Sequence, residues 1–204
     1  MPEEAGALDF PAVVRGLPEP PPPSLDPYLD AAVRCFVRYG VSRTSVQDVA
    51  AEMKVNRTTV YRQVGNVDAM IRLLSARAVN RIVQEAVRRA MAVTLSAEAV
   101  AVLLAELVEL VRADPVVGKV LADEMELIST LVEDLPALLD RVVSPVTPHL
   151  DAAMRAGVLA RRDPAAVAGW MARVAATCIV APPPGDLRAF LAEMIVPVLG
   201  PPAG

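Results

Sequence analysis

Between positions 57 and 63 the chain places Arg57, Thr58, Thr59, Tyr61, Arg62 and Gln63. These side chains suit nucleic acid. An arginine guanidinium or a glutamine amide can bond a base edge through two parallel hydrogen bonds. A threonine offers a hydroxyl and a methyl, and a tyrosine hydroxyl can hold a phosphate. A solvated helix face carries the same residue types, so the residues alone leave both readings open. The elements that present them narrow the choice.

Val60 and Val64 recur among these residues at helical spacing and face inward, with Asn56 as the cap. Just before, Val46, Val49, Ala50 and Met53 make one apolar stripe, and "TSVQ" predicts a capping box from Thr44 to Gln47. Upstream, Asp26 is expected to cap a helix with Pro27 in its first turn. Leu29, Ala32, Val33, Phe36 and Val37 line its inner face, and Gly40 ends it. Lys54 and Val55 form the turn between the second and third helices. Two short helices joined by a tight turn and backed by a first one make a helix-turn-helix. The N-terminal turns of its last helix suffice to reach base edges, and helix N-termini offer N–H groups to phosphate. Gly65-Asn66 then breaks the chain. A helix follows from about Val67 to Ala92, roughly 40 Å long at 1.5 Å per residue.

Charge follows this division. The 204-residue chain has a net charge of −4, but residues 25–92 hold 11 basic and 6 acidic residues, a net of +5. Residues 93–204 hold 8 and 14, a net of −6. A basic head joined to an acidic remainder implies two tasks in one chain. The expected organisation is a disordered, proline-rich tail over 1–24, a helix-turn-helix over 25–66 and a helical domain over 67–204, all-α throughout.

Enzyme chemistry finds no footing. There is one histidine, and HExxH, G-x-S-x-G, P-loop and dinucleotide-binding patterns are missing. No cofactor or metal is expected. Cys35 and Cys178 form no ligand pattern and read as free buried thiols of a cytoplasmic protein. The apolar stretch Pro164 to Pro184 contains Arg173 and ends in prolines, so it reads as a buried helix and not as a membrane span.

The segment "LDAAVRCFVRYGVSRTSVQDVAAEMKVNRTTVYRQVGNVDAM" resembles the head of TetR-type (tetracycline-repressor-like) transcriptional regulators. The resemblance rests on the Phe36…Gly40 helix end, "TSVQDVA" at 44–50 and "NRTTVYRQVGNVDAM" at 56–70. It implies phosphate contacts by Thr44 and Ser45, base or phosphate contacts by Arg57, Thr58, Thr59, Arg62 and Gln63, and a phosphate clamp by Tyr61. Three positions depart from the family pattern. Lys54 stands where glycine is usual and must take a strained φ or a different turn. Val64 stands where an aromatic is frequent. Val67 replaces a phosphate-binding lysine and is given no such role.

In the acidic part, residues 164–180 carry two apolar faces. Val167, Trp170, Met171, Val174, Ala175, Cys178 and Ile179 form a large one; Ala165, Ala168, Gly169, Ala172 and Ala176 form a small-residue one. The last helix, with Leu187, Phe190, Leu191, Met194, Ile195 and Val198, repeats the apolar pattern. Two such helices meeting their copies across a two-fold axis would make a four-helix dimer interface through Gly169, Ala172, Ala176, Phe190 and Met194, an intramolecular core being the alternative. Met125, His149, Met154, Trp170 and Met171 are candidates to line a ligand cavity, although methionines also serve as core filler. The expected function is that of a homodimeric repressor binding an inverted-repeat operator in double-stranded DNA and released by a small apolar ligand. The alternative is a helical protein binding a hydrophobic metabolite or a partner protein, with a head that no longer reads DNA.

Overall fold

The computed structural model describes residues 19–92, 94–123, 140 and 143–200. Every regular element among them is helical, as expected. A 3-10 turn, Pro23–Leu25, leads into α1 (Asp26–Tyr39). Then come α2 (Val46–Met53), α3 (Arg57–Val64), α4 (Val67–Met91), α5 (Ala97–Arg112) and α6 (Pro115–Asp123). Next is α7, helical over the described residues 143–155, followed by α8 (Pro164–Val180) and α9 (Leu187–Leu199). Asp134-Leu135-Pro136, a further helix-start pattern in the sequence, lies outside the described residues. No helix among the described residues is long and apolar enough to cross a membrane.

Short polar side chains open most of these helices. Asn56, Asn66, Ser96, Asp114, Asp163 and Asp186 each accept a hydrogen bond from a backbone N–H two or three residues on. Two expected caps differ. The capping box of α2 lies one residue later than expected. Ser45 is the cap, its hydroxyl accepting from the Asp48 amide at 3.3 Å while the Asp48 carboxylate accepts from the Ser45 amide at 2.8 Å. Thr44 is buried, and its hydroxyl donates to the Gly40 carbonyl at 2.7 Å. At α1 the cap position falls on Leu25. The Asp26 carboxylate does not cap; together with Asp30 it accepts from Arg77 of α4, at 3.0 and 2.9 Å.

The helices form two compact units. One comprises the described residues of 17–81 and 112–133, the other those of 82–111 and 134–204, so the boundary falls within α4. The first unit buries Leu29, Phe36, Val49, Val60 and Met70 completely, with Val116 and Val120 of α6 packed against them. Arg81 reaches Asp114 at the start of α6, at 3.0 Å. The second unit buries Val108, Leu159, Leu191, Ile195 and Leu199. Aliphatic side chains fill most of both cores, with Phe36 the one aromatic among the fully buried residues described. Cys35 and Cys178 are buried free thiols, one in each unit, and burial pushes both thiol pKa values up.

An ionic chain crosses the second unit. Glu85 of α4 accepts from Arg88 and Arg89; Arg89 also reaches Glu106 of α5 at 3.0 Å, and Arg188 of α9 meets Glu106 at 3.5 Å. Hydrogen bonds from Arg88, then from Arg89, hold the Glu85 carboxyl at about 2, down from the ordinary 4.5. A pKa depressed by folding stabilises the protein above the unfolded value and ceases to do so as pH falls to the folded one. The stability difference between wild type and Glu85→Gln, read from urea midpoints, is therefore expected to be constant above about pH 5 and to vanish between pH 4.5 and 2. A difference that persists undiminished at pH 2 would show that it does not arise from the ionised carboxylate.

Candidate nucleic-acid interface

The third helix is held by two side chains. Val60 is 0% exposed and Val64 3%, one turn apart on the inner face of α3. Their burial against α1 and α2 points the rest of the helix outward. Arg57, Thr58, Tyr61, Arg62 and Gln63 are exposed, whereas Thr59 is half-buried. Tyr61 is 53% exposed, unusual for a large aromatic ring and suited to a surface that meets a partner. Past the helix, Gly65 takes φ +74°, and a Cβ there would sit 3.0 Å from the Ala69 Cβ, so glycine is required for the turn into α4.

Backbone donors accompany these side chains. Asn56 engages the Thr58 amide, which leaves the Arg57 amide without a partner among the described residues. At α2 the Asp48 amide is engaged by Ser45, leaving those of Val46 and Gln47. Such N–H groups at a helix start attract anions. Ser45 is exposed, and its hydroxyl donates to the Asp48 carboxylate at 2.6 Å. That bond, with the one from the Ser45 amide, lowers the Asp48 pKa.

The cations of residues 25–81 divide into two groups. Arg34 and Arg38 meet Glu52, Arg77 meets Asp26 and Asp30, and Arg81 meets Asp114. Arg43, Lys54, Arg57, Arg62 and Arg72 are exposed and have no ion pair among the described residues. The excess positive charge of the head is thus concentrated from the α1–α2 loop through α3 to the start of α4. Asp68, exposed on the same stretch, has no ion pair among the described residues. Arg43 and Arg72 escaped the sequence reading, because nothing local separates them from the paired arginines.

Residues 29–74 match the family model of the bacterial regulatory proteins of the tetR family. The match spans the helix-turn-helix head, from within α1 into the first turns of α4. No curated protein matches the sequence. Among solved structures the chain is similar to the SmeT–triclosan complex, with 20% identity, a TM-score of 0.61 and coverage of 93% of this chain and 92% of that one. It is similar to the TetR family repressor AlkX of Dietzia sp. strain DQ12-45-1b, with 20% identity, a TM-score of 0.56 and coverage of 84% and 93%. It is also similar to AibR in complex with isovaleryl coenzyme A and operator DNA, with 16% identity, a TM-score of 0.57 and coverage of 85% and 97%. These likenesses show the shared fold, helical C-terminal domain included.

The departures from the TetR pattern are resolved locally. Lys54 keeps the turn by adopting the left-handed conformation, φ 57° and ψ 40°. Val64 fills its site in the core, and Val67 is half-buried against the same core. In the C-terminal domain Met154 is 3% exposed, and Trp170 and Met171 are half-buried against the same core. His149 is half-buried next to buried Leu150, and Met125 lies outside the described residues. On the small-residue face, Gly169 is buried, and its carbonyl accepts from Arg173 at 2.8 Å. Ala172, Ala176 and Phe190 are half-buried, whereas Val180 and Met194 are 50% and 42% exposed.

The cap geometry makes a direct test. Ser45→Ala removes the capping box and should cost about 1 kcal/mol of stability in urea unfolding. Gln47→Ala, at an exposed position with no part in the cap, should stay within about 0.5 kcal/mol of wild type. The reverse order would return the cap to Thr44.

Proposed function

We propose that the protein is a homodimeric transcriptional repressor that reads an inverted-repeat operator through α3 and releases it on binding a small, largely apolar ligand. The observation that carries the DNA reading is the set of unpaired, exposed cations from Arg43 to Arg72, with α3 projecting from their midst. Arg57, Arg62 and Gln63 serve base edges, with Thr58 and Thr59 beside them. Tyr61 clamps a phosphate. Ser45 and the open amides of α2 take another, with Thr44 holding the loop beneath them. A head that had lost DNA binding would have no need of a formed turn or an unpaired cationic face, and both are present.

The C-terminal reading rests on composition and exposure. Val180 and Met194 leave apolar surface in water on the last two helices, which also carry Gly169, Ala172, Ala176 and Phe190. A second copy across a two-fold axis would cover it. Met154, Trp170 and Met171, with His149 and Met125, are the proposed lining of the ligand site. The triclosan and isovaleryl coenzyme A carried by two solved relatives support a small-molecule effector.

Selection of bound sequences from random duplexes is expected to return an inverted repeat with half-sites about 34–36 Å apart or a multiple of that spacing. Arg62→Ala or Gln63→Ala should relax preference at particular base pairs by roughly 1–3 kcal/mol, whereas Tyr61→Phe should weaken all sequences alike. No enrichment even at low salt would favour the helical binding protein with a silent head. For the dimer, Met194→Asp buries an unpaired charge in the proposed interface and should weaken self-association by about tenfold or more in sedimentation. An unchanged dimer would place the interface elsewhere.

A further inference from the structure

We infer that Lys54 is a DNA-backbone contact, and that the strained turn between α2 and α3 is kept for the charge it carries. The inference rests on the DNA reading above and adds to it a residue at one of the three positions that depart from the family pattern. Lys54 is the sole non-glycine residue with positive φ among the described residues. The left-handed conformation brings Cβ against the following carbonyl, a penalty that glycine does not incur and that asparagine or aspartate can soften. Lysine has no such relief.

The turn itself dictates that conformation. The Val55 amide donates to the Ala50 carbonyl at 3.0 Å and the Lys54 amide to the Ala51 carbonyl at 3.1 Å. This is the pair of bonds that closes a helix when the residue after the cap is left-handed. The backbone therefore asks for glycine, and every hydrogen bond that the turn needs is made by main-chain atoms. The lysine side chain returns nothing to the fold. It is exposed, and its ammonium has no ion pair among the described residues. A residue that strains the backbone without stabilising the folded state points to a role outside the fold.

Position identifies that role. Lys54 precedes the α3 cap, Asn56, by two residues, and the open Arg57 amide follows directly. It lies in sequence between Arg43 and Arg57, among the unpaired cations. A lysine ammonium is a compact point charge on a flexible stem with three donors, suited to a phosphate oxygen and unsuited to the paired geometry of a base edge. A contact of this kind adds affinity without specificity and acts by releasing a condensed counterion.

The test uses the full-length protein and a random-sequence duplex of about 30 base pairs, titrated across salt concentrations. Lys54→Gly relieves the strain, so its thermal midpoint should equal or exceed that of wild type. Its slope of log affinity against log salt should nevertheless be shallower by about 0.9, the value of one phosphate contact. Lys54→Asn, neutral but tolerant of the left-handed conformation, should lose the same slope, and Lys54→Arg should keep it. Glycine and asparagine variants that match the wild-type slope, or that lose affinity equally at all salt concentrations, would overturn the contact while leaving the DNA reading intact. A wild-type protein without salt-sensitive binding to any duplex would overturn both.

Discussion

An isolated helix shorter than about 12 residues is marginal in water, and α3 has eight. Its existence depends on Val60 and Val64 being buried in the core of the first unit. Everything the head offers to a partner follows from that constraint. Two inward positions one turn apart fix the rotation of the helix about its axis, and the remaining side chains gain their direction from it. α1 and α2 supply the surface that receives the valines, with Leu29, Phe36 and Val49 fully buried there. The turn at Lys54 fixes where α3 starts. A short helix stabilised only from behind leaves its front face uncommitted.

Local signals made much of this legible in the sequence. Apolar periodicity gave the helices, and a cap residue gave the start of α3 at Asn56, because a cap bonds within three residues of itself. The errors came where local signals were degenerate or the partner was distant. "TSVQD" offers two capping frames, Thr44 with Gln47 and Ser45 with Asp48. The burial of the Thr44 hydroxyl against Gly40 decides between them, and burial is a tertiary fact. Asp26 looked like a cap, yet its partner Arg77 lies 51 residues on. The same distance effect hid the division of the cations. Arg34 and Arg43 are alike in local sequence terms, and only the fold gives one of them Glu52 and leaves the other open.

Candidate residues of the C-terminal domain were less legible for a related reason. A methionine that fills a core and one that lines a cavity have the same spacing on the same helix face. Met154 proves deeply buried and Met194 exposed, although both belong to apolar stripes. The small-residue face was equally ambiguous. Part of it is already covered within the chain, where Arg173 folds back onto the Gly169 carbonyl. Val180 and Met194, with the largest exposed apolar side chains on the last two helices, are the residues there that remain open to a second copy.

α4 is the element that both units share, and each unit grips its own part of it by ion pairs. Arg77 and Arg81 tie it to α1 and to the start of α6; Arg89 ties it to α5, whose Glu106 also meets Arg188 of α9. On the proposed function, this arrangement sets a condition on any effector. A small molecule in the second unit can release DNA only if it favours an arrangement of α4 that the operator disfavours, since a ligand with equal affinity for both arrangements shifts neither population. The same free energy must then appear in reverse, with operator weakening the effector by an equal factor. These pairs are partly buried, with Asp114 and Glu106 the least exposed of their members. Each pair made by α4 joins it to a neighbouring helix within its own unit.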